Sequence, residues 1–126
     1  MMPTEAKRRL WWTGFSVYAL AVLMVGVIPL PSVGPQIPSF DKVEHGLEYV
    51  LFSWLLARAQ LASGRAWAQV MRRAVLGAVV YGGLIELIQA FLPYRNAEWL
   101  DLAANGFGGW IGTWLVHARL RSVARG

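Results

Sequence analysis

The chain has 126 residues, of which 56% are hydrophobic and 15% charged, and its formal net charge is +5. Soluble domains carry about 25% charged residues, so this balance points away from an ordinary soluble domain and toward one membrane domain, residues 1–126. The chain has no cysteine, which excludes disulfides, thiol nucleophiles and thiolate metal sites.

Lys7, Arg8 and Arg9 precede the first apolar run, residues 10–28, "LWWTGFSVYALAVLMVGVI", which holds no charge. It is close to the ~20 residues that a spanning helix needs. Pro29 and Pro31 stand where a signal-peptide cleavage site would require small residues, so the run reads as a retained span. The following "PLPSVGPQIPS" is too rich in proline for a helix and is expected to be an extended link. A second run covers residues 43–61 and stops at "SGR". A third covers 74–92 and stops at "PYRN", and a fourth covers 100–120. The predicted fold is an all-α bundle of four transmembrane helices.

With four spans, Lys7, Arg8, Arg9, Arg58, Arg65, Arg72, Arg73, Arg119, Arg121 and Arg125 fall on one side of the bilayer. Lys42 and Arg95 fall on the other. Cytoplasmic loops carry the Lys/Arg excess, so both termini are expected in the cytoplasm. The net positive charge is read as this orienting signal, not as a nucleic-acid surface. Of the acids only Glu5 is on the basic side; Asp41, Glu44, Glu48, Glu86, Glu98 and Asp101 lie toward the opposite face.

Those acids sit among other polar groups at helical spacing. Asp41, His45 and Tyr49 recur every four residues and share a face of the second helix, with Glu44 and Glu48 in the adjacent row. Glu86 and Gln89 are neighbours near the end of the third helix, and Asp101 and Asn105 near the start of the fourth. The up-and-down topology brings all three sets to one depth. A charged side chain at a helix centre costs ~2.5–3.5 kcal/mol on insertion scales. Glu86 should therefore face the bundle, protonated or paired with Lys42, Arg95 or His45. Ala74, Ala78, Gly82 and Glu86 form a small-residue row on the third helix, and Asn105, Gly108 and Gly112 one on the fourth. Small residues let helices approach closely in lipid. The third and fourth helices are thus expected to pack through these rows, holding Glu86 and Asn105 against each other's helix.

Plainer roles compete at several positions. Asp41 and Glu44 fit a capping box. Gln89 suits an interhelical hydrogen bond, and Asp101 suits the positive end of a helix dipole. Trp99, Trp110 and Trp114 read as interface anchors or lipid-facing packing, and His117 as interfacial. Ser53 lies beyond the His45 row without an evident base.

"DKVEHGLEYVLFSWLL" followed by "ELIQAFLPYRNAEWLDLAANGFGGWIG" resembles the VanZ-like family of small membrane proteins. The resemblance is carried by Asp41, Lys42, His45, Tyr49, Glu86, Gln89, Pro93, Arg95, Asp101, Asn105, Gly108 and Gly112. It implies a multi-pass protein of the bacterial cytoplasmic (inner) membrane. The best-known member is associated with low-level resistance to the glycopeptide teicoplanin.

Three functions are compatible with these residues. In the first, Lys42, His45 and Arg95 engage an anionic lipid or lipid-linked envelope precursor. Asp41, Tyr49, Glu86, Gln89, Asp101 and Asn105 complete the pocket. In the second, a membrane-embedded enzyme uses His45 with Glu86 or Asp101 as acid and base. No nucleophile elbow, zinc-protease helix or phosphate loop is present. No cofactor or metal motif is present either, although a divalent cation on His45 and the carboxylates fits hard-cation chemistry. The third is a transporter or channel subunit, which with four helices per chain would need an oligomer.

Overall fold

The computed structural model describes residues 4–28, 40–93 and 99–125, and within these the side chains of all but residues 40–42 and 99. The described residues form four helices: α1 (Thr4–Val27), α2 (Phe40–Ala62), α3 (Trp67–Ala90) and α4 (Trp99–Arg125). At 1.5 Å per residue, each is roughly 35–40 Å long, against the ~30 Å hydrocarbon core of a bilayer. Among the described residues, α1 and α3 are both long enough and apolar enough to cross a membrane.

The helices overrun the apolar stretches that announce them. The third begins at Trp67, not at residue 74, and carries the exposed Arg72 and Arg73 in its second turn. The fourth continues through Arg119 and Arg121 to Arg125. Apolarity marks the part of a helix suited to lipid, whereas backbone hydrogen bonding continues through polar residues of good helix propensity.

The α2–α3 turn shows how "SGR" ends a helix. Gly64 has φ +81. Its N–H donates to the Leu61 carbonyl at 3.0 Å, and the Arg65 N–H to the Gln60 carbonyl at 3.2 Å. This pair of bonds is a Schellman motif with Gly64 as its left-handed residue.

Helix α2 packs on all three others, whereas α1 and α4 do not pack on each other among the described residues. One core cluster gathers Val22, Tyr49, Phe52, Ala78 and Ile85, with Phe15 and Tyr81 against it. Phe52 is its hub, with ring centroids 5.0 Å from both Phe15 and Tyr81. A second cluster at the other end holds Ala57, Val70, Ala74 and Val116. There Trp11 meets the edge of Trp54, and the Arg58 guanidinium lies 4.7 Å from the Trp11 ring centre.

The bundle exposes large apolar side chains and buries a set of polar ones beside its two apolar clusters. Leu20, Leu47, Leu84, Leu87, Phe107, Trp110 and Trp114 are exposed, while Ser53, Gln60, Glu86, Gln89, Asp101, Asn105 and Thr113 are buried. In water such a surface would associate. In lipid it is the low-energy arrangement, because it keeps polar groups that hydrocarbon cannot solvate away from the acyl chains: Ser53, Gln60 and Thr113 bond to carbonyls of their own helices, and Gln89 to one of α1.

Of the α4 row Asn105, Gly108 and Gly112, Asn105 meets α3 at Gly82 as its spacing leads one to expect, but the two glycines meet α2 instead. A Cβ on Gly108 would strike the Gly46 carbonyl, and one on Gly112 the Val50 carbonyl and Ser53 hydroxyl; all belong to α2. Helix α3 meets α4 one face round, where Gly82 receives the Asn105 amide and Gly109 lies against Ala78. Helix α4 therefore presents Gly108 and Gly112 to α2 and Asn105, Gly106 and Gly109 to α3.

Candidate functional site

At the end of the bundle where α1 and α3 finish and α2 and α4 begin, the helices surround a cavity of about 570 Å³. Helix α2 contributes Glu44, His45, Glu48 and Tyr49; α3 contributes Gly82, Ile85, Glu86 and Gln89; α4 contributes Asn105. Helix α1 adds Tyr18, Val22, Val25 and Gly26.

Helical spacing accounts for α2. His45 and Tyr49, one turn apart, point inward together, and Glu44 and Glu48 follow because the facing surface is wide. On α3, Gly82 and Glu86 are one turn apart, and the absence of a side chain at Gly82 makes room for Asn105 from α4. Tyr49 also closes on this point, its ring 3.1 Å from where a Gly82 Cβ would stand.

Three ionisable side chains from three helices converge. His45 Nε2 lies 3.7 Å from Asp101 Oδ2. Ligating atoms of His45, Glu86 and Asp101 all lie within 4.8 Å of one another. Asp101 is 3% exposed and Glu86 9%. Asp101 also stands in the first turn of α4, where the helix dipole favours a carboxylate. Asn105, 1% exposed, lies one turn further along α4, and its Oδ1 has no hydrogen-bond partner among the described residues. An imidazole between two carboxylates can hold a proton, transfer one, or share a cation with them.

Of the residues expected from sequence, His45, Tyr49, Glu86, Gln89, Asp101 and Asn105 gather at this end. Asp41 and Lys42 belong to the first turn of α2, but their side chains lie outside the described residues, as does Arg95 altogether. Gln89 has the interhelical bond expected of it, donating from Nε2 to the Gly26 carbonyl at 2.8 Å. The carbonyls of a helix's last turn have no partner within the helix, and this bond satisfies one of them. Ser53 is buried and donates to the Val50 carbonyl, away from the cavity. His117 stacks on Trp67 at the opposite end.

The contribution of α1 was not foreseen. Tyr18 donates its hydroxyl to the Glu48 carbonyl at 2.7 Å, and the Tyr81 hydroxyl donates to the Ala19 carbonyl. At the far end Trp12 Nε1 donates to Ser63 Oγ at 2.8 Å. A lone tyrosine in an otherwise apolar span and a glycine near its end were the available signals. Both were submerged by the uniform hydrophobicity of the segment.

The VanZ/LLP1 family model matches residues 15–121, a range that includes every cavity-lining residue. No curated protein and no solved structure matches the chain. With nearly its whole helical bundle matched and apolar helices of membrane-crossing length, the chain belongs to the VanZ/LLP1 family.

Proposed function

We propose that the chain is a four-span protein of the bacterial cytoplasmic membrane, both termini cytoplasmic, whose polar cavity opens to the outer leaflet. The cavity binds the anionic head group of a membrane lipid or lipid-linked envelope precursor. The observation that carries this reading is the mixed character of the cavity mouth. Val25 and Leu47 line it while remaining 52% and 65% exposed, and Glu44, His45 and Glu48 line it beside them. An amphiphile fits both halves: its head group enters among the polar side chains, and its acyl chains stay along the apolar outer surface. A water-soluble ligand would gain nothing from Val25 and Leu47. Lys42, in the first turn of α2, and Arg95, between α3 and α4 in the sequence, supply attraction for the anion. Through the family, such a protein would alter susceptibility to teicoplanin by occupying or sequestering an envelope precursor.

The test is mass spectrometry of lipids retained by the purified protein. Native protein should retain a defined phosphate-bearing lipid, and the Glu86→Gln variant should lose it. Equal lipid content in both would reject the pocket as the binding site.

A second reading, catalysis on the bound lipid, is favoured by the approach of His45 to Asp101 at 3.7 Å beside Glu86. Here His45 is the acid or base and the carboxylates orient it. Turnover of lipid extract by the native protein, abolished in His45→Ala, separates catalysis from binding alone.

A further inference from the structure

An anionic head group meets a difficulty in this cavity. Among the described residues its lining includes the carboxylates of Glu44, Glu48 and Glu86 and no lysine or arginine. Asp101, nearly fully buried, adds a fourth acid within reach of His45. Several carboxylates in a partly desolvated space repel one another and repel phosphate.

We propose that His45, Glu86 and Asp101 bind one divalent first-row transition cation, with Asn105 Oδ1 as a further ligand, and that this cation receives the head-group phosphate. The geometry supports it in three ways. First, the donor atoms come from α2, α3 and α4 and lie within 4.8 Å of one another. Ligands bound at ~2.1 Å to one ion stand at most ~4.2 Å apart, so small side-chain rotations complete the site. Second, Asn105 lines the same cavity as His45 and Glu86, is buried, and has an Oδ1 without a hydrogen-bond partner among the described residues. An amide oxygen left so is a candidate metal ligand. Third, one imidazole nitrogen with carboxylate and amide oxygens is a donor set for Zn²⁺ or Mn²⁺. The cavity leaves open positions on the ion, which a phosphate oxygen can take. The cation site rests on the head-group reading only for this last, bridging role.

The experiment uses the full chain in phospholipid nanodiscs, stripped with EDTA and titrated with Mn²⁺ or Zn²⁺ alone. About one equivalent should bind. Glu86→Gln and Asp101→Asn should each weaken binding at least about tenfold, while the surface variant Glu5→Gln should not. The chain has two histidines, so pulsed EPR of bound Mn²⁺ in the unmutated protein gives a readout independent of variant folding. It should detect one imidazole nitrogen, lost in His45→Gln and kept in His117→Ala. Stoichiometry far below one, or bound Mn²⁺ with no imidazole nitrogen, overturns the site. The bridging role is read separately, from phospholipid retained by detergent-purified protein before and after chelation. A fall on chelation supports the bridge. Unchanged retention with the EPR signature intact leaves the cation site and overturns the bridge. Retained lipid with no metal binding leaves the head-group reading and overturns the cation.

Discussion

Gln89 on α3 donates from its amide to the carbonyl of Gly26 on α1 at 2.8 Å, joining the ends of two helices at the rim of the cavity. The bond satisfies an end-of-helix carbonyl and places α1 as a wall of the site. Gln89→Leu should preserve volume and remove the donor. Interhelical hydrogen bonds in membrane proteins contribute about 0.6 kcal/mol on average and up to ~1.7. We expect a destabilisation in that range by thermal unfolding in detergent, with lipid retention reduced more than stability.

The α2–α4 contact should be the least tolerant of added volume. At Gly108 a Cβ would meet the Gly46 carbonyl and the Val50 amide nitrogen, which are backbone atoms and cannot rotate aside. Overpacking of this kind costs about 1–3 kcal/mol. Gly106→Ala would meet only a Val79 methyl at 3.3 Å, and Gly14→Ala nothing within 4 Å. Unfolding midpoints should therefore fall for Gly108→Ala, move little for Gly106→Ala, and hold or rise for Gly14→Ala. Equal effects at all three sites would contradict the glycine-mediated approach of α4 to α2.

Gly64 tests the turn independently of packing. With φ +81 and open space around it, Gly64→Ala should cost about 1–2 kcal/mol from backbone strain alone. Gly64→Asn should cost less, because asparagine tolerates the left-handed region. Both variants should retain lipid normally, since the turn lies at the end of the bundle away from the cavity.

Topology is directly measurable because the native chain has no cysteine. In intact cells, Pro35→Cys should react with a membrane-impermeant maleimide, and Arg65→Cys should react only after the membrane is opened. The reverse pattern would invert the bundle and turn the cavity toward the cytoplasm.

The four helices were legible because each includes a long apolar run between clear breaks: the proline-rich link, Ser63–Gly64, and Pro93. The gathering of His45, Glu86 and Asp101 was legible for a related reason. Ionisable groups near matching ends of alternating helices must share one depth, and hydrocarbon gives them nowhere else to go. Which helix faces which was not legible. Gly108 and Gly112 announce a close approach but do not name the partner, and the row on α3 was an equally good candidate until backbone contacts assigned them to α2.

The sequence by itself determined the four helices, their membrane-like apolar character and the shared end of the bundle at which the polar residues stand, because these follow from hydrophobicity and helical periodicity along one segment at a time. Only the tertiary structure decided that α1 closes the cavity through Tyr18 and Gly26, that α4 packs on α2 and α3 but, among the described residues, not on α1, and that Asn105 sits in the gap left by Gly82. These depend on the rotation of each helix about its axis. Side-chain shapes on two surfaces set that rotation jointly, and neither segment encodes it alone.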